Sequence, residues 1–453
     1  MNNSRRSFIK GAGILSSALL TGKSAAIAQG ASVKKDKVNL AVIGFANQGA
    51  GDMQNCLNSG LANLVALCDV DEGIIGNVRQ RYPDVPFFRD FRVMLDKMDK
   101  DIDAVLIATP DHTHYPIAMR CMAMGKHVFV EKPLARTPLQ IRRMAQFAKE
   151  NNIITQMGNQ FHSSEAIRRG VEIIQAGRIG EVQELQAWHH MPDIGNTHFY
   201  AQTTKQSPIT EEAPASLDWE NWLGPVPYTP YSKSYTPRKW RSFSNFGTGI
   251  LGDWGCHTLD VMNWALKLGA PDSIDLLELT ESPVKGEQCY HSKIRWNFPA
   301  RGELKSISLT WCDGFRNSPT RPTGSKNFDW ENQKLDAGAL FVGEKGDLYL
   351  PGHPESFAIF PMELFMEVKK NPPEKTIPRI VGGHYADFLR CVLTGEQACS
   401  NFECAANLAE ISMLGVAAQV TGSSFKWDAV NCRADSDKVN LYLNEPVRRG
   451  WNF

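Results

Sequence analysis

Four short apolar runs, at 38–43, 64–68, 103–108 and 127–130, punctuate the first third of the chain, and stretches of helical periodicity separate them. Strands that alternate with helices in this way build a parallel sheet covered on both faces, because each crossover has to lay a helix back on the sheet. The first run, Val38 to Ile43, ends at Gly44; Gly49 and Gly51 follow, and then Met53, Cys56 and Leu57 at helical spacing. Strand, glycine turn and helix therefore come in that order. Tyr115 to Met124 reads as another helix, and Thr137-Pro138 caps a further one with Ile141, Met144, Ala145 and Ala148 on one face.

In a G-x-G-x-x-G turn the first glycine makes the bend, the second admits a pyrophosphate and the third lets helix and strand pack closely. Here the turn is Gly44-Phe45-Ala46-Asn47-Gln48-Gly49, so a methyl occupies the middle position and narrows the approach without abolishing it. Gly44, Ala46, Asn47, Gln48 and Gly49 are the candidate dinucleotide contacts. Asp69 closes the second run 20 positions after Gly49. A carboxylate there accepts hydrogen bonds from both ribose hydroxyls and repels a 2′-phosphate, which favours NAD and leaves NADP as the alternative. Ligands of open α/β sheets bind beyond the carboxyl ends of the strands, which adds Thr109, Pro110, His114, Glu131 and Lys132 to the nucleotide and catalytic candidates.

Lys plus Arg and Asp plus Glu both total 49 in the 453-residue chain, so no global positive field draws it to nucleic acid or an anionic membrane. A small neutral substrate fits better. The leader Ser4-Arg5-Arg6-Ser7-Phe8-Ile9-Lys10, an apolar run from Gly11 to Leu20 and a small-x-small site at Ala26-Ile27-Ala28 read as a twin-arginine export signal over residues 1–28. The expectation is a periplasmic protein with no membrane anchor after processing. Ten cysteines are scattered without a C-x-x-C pair, which points to free, mostly core thiols and no structural metal.

The second half changes character. Val182 to His189, Ser292 to Phe298 and Lys305 to Trp311 alternate with period two, the mark of an antiparallel sheet with one covered face. Residues 191–245 carry seven prolines and recurrent Trp and Tyr. Each aromatic taken alone is best read as an anchor pinning a long loop, and the set could wall a carbohydrate pocket, since sugar C–H faces pack on rings. Cys404 to Val420 reads as a buried helix, and 312–338 and 351–383 as polar loops. Asp253 and His257 stand at i and i+4 on one helix face. By themselves they are as readily a helix cap and a satisfied core histidine.

The glycine turn at 44–49, Asp69, Thr109-Pro110-Asp111-His112-Thr113-His114, Glu131-Lys132-Pro133 and Asp253-Trp254-Gly255-Cys256-His257 occur in an order and spacing that resemble the glucose-fructose oxidoreductase, inositol dehydrogenase and rhizopine-catabolism family (Gfo/Idh/MocA). The resemblance implies an α/β protein with an N-terminal Rossmann domain (29–155), a C-terminal α+β domain with a large, mostly antiparallel sheet (156–430) and a closing tail (431–453). It also implies a homo-oligomer packed through the open sheet face, and makes Lys132, His257 and Asp253 the catalytic set. Gln160, His162, Trp188, Tyr235, Trp240 and Arg241 are the candidate substrate contacts.

In this reading His257 takes the hydroxyl proton of a secondary alcohol, Lys132 hydrogen-bonds the reacting oxygen, and Asp253 orients His257 or a neighbouring hydroxyl. The function expected is NAD-dependent oxidoreduction of a sugar or cyclitol with tightly bound cofactor, since an exported enzyme has no dependable pool of free coenzyme. A redox-neutral glycoside hydrolase on the same scaffold and a non-catalytic periplasmic sugar-binding protein are the alternatives. His112 and His114 invite a metal reading, but no third ligand follows at a recognisable spacing.

Overall fold

The computed structural model describes residues 35–191, 207–315, 325, 327–328, 336–444 and 446–452. The export leader at 1–28 and part of the proline-rich segment, with Pro192 and Tyr200, lie outside the described residues.

The N-terminal half runs β1 (Val38–Ile43), α1 (Gln48–Asn58), β2 (Ala62–Cys68), α2 (Gly76–Arg81), β3 (Phe87–Phe88), α3 (Phe91–Met98), β4 (Ala104–Ile107), α4 (His114–Ala123), β5 (His127–Val130), α5 (Pro138–Glu150) and β6 (Thr155–Met157). All six strands are parallel, in the order β3-β2-β1-β4-β5-β6. This is the doubly wound arrangement, and its strand order reverses between β1 and β4. The central strands β4 and β5 are apolar and buried because helices cover both faces.

After α6 (Glu165–Gln175) come β7 (Val182–Met191), α7 (Trp219–Leu223), α8 (Gly249–Thr258), α9 (Asp260–Leu266), β8 (Ser273–Thr280), β9 (His291–Phe298) and β10 (Ile307–Phe315). Then follow β11 (Ala337–Gly343), β12 (Asp347–Pro351), β13 (Ala358–Phe360), α10 (Met362–Lys370), α11 (Gly383–Thr394), α12 (Phe402–Thr421), β14 (Phe425–Asp428), β15 (Arg433–Ala434) and α13 (Asp437–Leu443). These strands form one sheet, β13-β12-β11-β7-β10-β9-β8-β14-β15, antiparallel throughout except for the β7–β10 pair. The stretch read as a loop over 351–383 therefore contains β13 and α10, and the loop read from 312 begins inside β10. Both are short or amphipathic elements whose pattern shows only against their neighbours.

Helix α12 is buried on nearly every side. It packs on α5 of the first half and on α8 and β8 of the second, so one continuous core joins the two sheets. Gly415 is required there, because a Cβ would lie 2.3 Å from the Trp296 ring. The proline-rich segment folds into a small core of its own, with Trp219 and Trp222 stacked at 4.7 Å and Tyr235 edge-on to Phe243 and Phe246. All ten cysteines are free thiols, six of them buried. Among the described residues no helix is long and apolar enough to cross a membrane.

Candidate active site

A cleft of about 720 Å³ opens beyond the carboxyl ends of the N-terminal strands and is closed on its other side by residues of the second half. Its floor at one end is the turn between β1 and α1. Gly44 has φ +78°, and a Cβ there would meet the Ala108 carbonyl at 2.7 Å. At Gly49 a Cβ would fall 2.0 Å from the Gly44 carbonyl oxygen, so this glycine lies under the turn and lets α1 approach it. Ala46, Asn47, Gln48 and Gly51 line the cleft, and nothing lies within 4 Å of a Cβ built on Gly51. No acidic side chain stands in the first turn of α1, and Asn47 makes no side-chain cap, which leaves the helix N-terminus open to an anion.

Asp69 follows β2 and is buried. Its carboxylate accepts from the Phe45 and Asp71 backbone N–H groups at 3.2 and 3.1 Å, which fixes its orientation and leaves lone pairs toward the cleft. Burial pushes its carboxyl up to about 6. The absent Cβ atoms, the open helix terminus and the fixed strand-end carboxylate all fit a nicotinamide dinucleotide, whose pyrophosphate would rest on the turn and whose adenosine ribose would face Asp69.

The opposite end of the cleft is charged. Asp111 accepts from Arg241 at 3.0 Å and from the Thr248 hydroxyl at 2.6 Å. Arg241 also lies 3.3 Å from Asp253, and Asp253 accepts from the Lys132 ammonium. Asp111, Arg241, Asp253 and Lys132 thus form a buried row of alternating sign, a pattern that lets each charge lose water without being left unpaired. Burial alone would lower the Lys132 ammonium, but the Asp253 carboxylate outweighs it and the net direction is up. Lys132 is therefore held as a cation.

His257 is held in the other direction. Burial, and then the Lys132 charge, press its imidazole well below the usual histidine range. Its Nδ1 has no hydrogen-bond partner among the described residues, and Phe161 and Trp254 meet the ring edge-on at 5.1 and 5.9 Å. Asp253 pairs with Lys132 and lies 3.3 Å from Arg241, and no hydrogen bond joins it to the His257 Nδ1. Glu131 lines the cleft beside them, its carboxylate accepting from Gln160 at 2.7 Å, while burial and nearby Asp52 push it well above the ordinary range.

The cleft brings together most of the residues expected from the sequence: Gly44, Ala46, Asn47, Gln48, Asp69, Thr109, Pro110, Glu131, Lys132, Gln160, Trp240, Arg241, Asp253 and His257. Five others lie off it. Gly49 sits beneath the turn, and His114 is buried between the Pro133 and Thr109 carbonyls, 2.8 Å from each, where it ties two strand-end loops together. His162 is buried against Asp260 at 2.9 Å and stacked on Trp264, so as a substrate contact it is corrected to an interior ion pair. Trp188 is also corrected: it lies on the far sheet face, stacked on Tyr349, whereas its neighbour His189 faces Trp254. Strand side chains alternate, so one residue separates the two faces. Tyr235 belongs to the aromatic core of the proline-rich segment. Sequence reasoning missed Phe161, Trp254, His353, Arg238 and Trp451, all of which line the cleft. Trp254, between Asp253 and His257, and Phe161, between Gln160 and His162, had a signal in their flanking candidates.

Residues 38–159 match the family described as "Oxidoreductase family, NAD-binding Rossmann fold", and residues 193–285 match its "C-terminal alpha/beta domain". Both halves of the chain thus match models of the Gfo/Idh/MocA family, its NAD-binding Rossmann domain and its C-terminal domain. It is 35% identical over 109 residues to levoglucosan dehydrogenase of Pseudarthrobacter phenanthrenivorans, covering 23% of this chain and 27% of that one. It is 31% identical over 189 residues to inositol 2-dehydrogenase 1 of Saccharopolyspora erythraea, covering 41% and 54%. With α-N-acetylgalactosaminidase of Shewanella oneidensis it shares 30% identity over 161 residues, 30% of this chain and 35% of the relative. The chain thus spans between about a quarter and about half of the curated relatives it matches. A solved levoglucosan dehydrogenase in complex with NADH and levoglucosan shares the fold, with a TM-score of 0.56 and 18% identity over 86% of this chain and 99% of that one.

Proposed function

We propose that this protein is an NAD-dependent oxidoreductase that interconverts a secondary alcohol and a ketone on a sugar or cyclitol, with NADP as the alternative coenzyme. One observation carries the reading: a cationic Lys132 and a neutral His257 line the same cleft as the glycine turn and Asp69. The bound nicotinamide supplies a hydride acceptor. The Lys132 ammonium donates a hydrogen bond to the substrate oxygen and favours its deprotonated form. His257, neutral and with an unpartnered nitrogen, receives the hydroxyl proton and returns it in the reverse direction. Asp253 keeps Lys132 charged and aimed, and Arg241 stacks on Trp240 at 4.4 Å while pairing both Asp253 and Asp111.

The test is NADH formation from NAD across a panel of sugars and cyclitols, with Lys132→Ala and His257→Ala as controls. Turnover that survives both substitutions overturns the assignment. The α-N-acetylgalactosaminidase relative supports a second reading, glycoside cleavage without net oxidation. Release of an aryl aglycone with no oxidised product would select it.

The leader motif supports export to the periplasm, a setting in which the nucleotide is carried from the cytosol and retained. Fractionation of cells expressing Arg5→Lys/Arg6→Lys tests the route, with retention in the cytoplasm expected. Mass spectrometry of denatured mature protein tests the retention. Association of copies through the open face of the second sheet is the quaternary arrangement we propose, to be read by analytical ultracentrifugation.

A further inference from the structure

The cleft is also lined by residues outside the family motifs, some of which directly follow Asp69. Val70, Asp71, Ile74, Phe91 and Trp451 are among them. Trp451 comes from the last residues of the chain, more than 350 positions from Phe91 in sequence, yet their rings lie 6.0 Å apart and the Arg92 guanidinium sits 4.8 Å from the Trp451 ring centroid. Arg92 is itself fixed by a bidentate pair with Asp90 and by Asn221 at 2.6 Å.

The tail is anchored just ahead of this contact. The Arg448 backbone N–H donates to Pro225 at 2.8 Å, its Nε to Gly224 at 3.0 Å, and the Trp451 N–H to the Arg448 carbonyl at 3.1 Å. The loop that receives Arg448 is in turn bound to the strand end, since Asp218 N–H donates to the Val70 carbonyl at 2.8 Å and Leu217 bridges Asp71. Trp451 is 7% exposed, whereas Ile74, also on this wall, is 40% exposed. Exposed Ile74 and the buried indole thus both line the cleft and give it apolar wall that a flat ring can cover.

We infer that Trp451 forms the adenine subsite: the C-terminal tail supplies an aromatic wall against which the adenine ring of the dinucleotide packs. The inference rests on reading the cleft as a nicotinamide dinucleotide site. In that reading the direction is fixed, because the pyrophosphate lies on the Gly44 turn, the nicotinamide lies toward Lys132 and the adenosine ribose lies at Asp69. The adenine then has to lie against the cleft wall beside Asp69. A flat, apolar, π-bearing ring is the chemistry that an indole, a phenylalanine and an isoleucine recognise together.

The experiment compares NADH with reduced nicotinamide mononucleotide, which lacks the adenosine, on protein stripped of nucleotide. NADH affinity should fall about 10-fold in Trp451→Ala, the size of the loss when an aromatic base-stacking partner is removed, while affinity for the mononucleotide stays unchanged. Arg448→Ala, which leaves the indole in place but releases its anchor, should lower NADH affinity in the same selective way. Equal loss for both ligands would mean general damage to the cleft and overturns the inference, as does an unchanged NADH affinity in both variants; in either case the dinucleotide reading stands. Failure of the unaltered protein to bind NADH more tightly than the mononucleotide overturns both.

Discussion

Replacing His162 with asparagine separates a structural role from a functional one. Inside the second half His162 is buried with its Nδ1 2.9 Å from Asp260, its ring stacked 4.3 Å from Trp264. Burial would lower the imidazole, but the Asp260 carboxylate outweighs it and lifts the group to about 10. Against an ordinary value of about 6.5, that shift sets a ceiling of about 5 kcal/mol on the stability linked to its proton. Loss of one partner from a buried pair costs about 3–5 kcal/mol by a separate argument, since the remaining charge is left uncompensated. In a folded body spanning Asp36–Phe453, an unfolding entropy of about 2 cal/mol/K per residue turns each kcal/mol into about 1 °C. His162→Asn should therefore lower Tm by about 3–5 °C at pH 6. A raised histidine contributes fully below its unfolded pKa and loses that contribution as pH climbs toward the folded value, so the gap from the unaltered protein should narrow between pH 6.5 and 10. Adding Asp260→Asn should recover part of the loss. A gap that stays constant with pH, or an unchanged Tm accompanied by lost substrate affinity, would refute the ion-pair assignment.

The cleft yields three further expectations. Lys132→Ala and Asp253→Asn should each lower turnover by about 100-fold or more while NADH remains bound; a fall in NADH affinity that accounts for the whole loss would contradict the assignment to the reacting oxygen. Because burial and Lys132 press His257 below the usual histidine range, the acid limb of kcat/KM should lie below pH 6.5, and a limb at or above that value would mean that His257 is not the group that titrates. Gly49→Ala puts a methyl 2.0 Å from a backbone oxygen that cannot swing aside, whereas Gly51→Ala meets nothing. The first should lower Tm and nucleotide affinity together, and the second should weaken the nucleotide alone.

The sequence carried four of the six strands of the N-terminal sheet, because these stand out as continuous apolar runs between helices, whereas β3 and β6 are two and three residues long and leave no run to read. It carried the cleft residues that sit at strand ends for the same reason, since position in the strand fixes position in the site. Trp188 shows where such reading stops. The alternation from 182 to 189 was visible, but which phase faces the helices depends on α8 and the partner strands, and a shift of one residue exchanges Trp188 for His189. Strand β13 was hidden because three residues are too few to set a period against the loop around them. Trp451 and His353 reach the cleft only through contacts with distant parts of the chain, and no spacing rule records those.

The largest change concerns Asp253. An i, i+4 pair on a helix invites the idea of a carboxylate that orients a histidine, as in hydrolase triads. Folding instead brings Lys132 and Arg241 to Asp253, and two cations compete for that carboxylate far better than a neutral ring does. His257 is left without a charged partner and becomes a weak base. Such a base can take a hydroxyl proton only if the alcohol is made more acidic, and the cation that does so is the one Asp253 holds in place. In the proposed reaction the carboxylate would therefore serve the histidine through the lysine, by way of the substrate oxygen that the two would share.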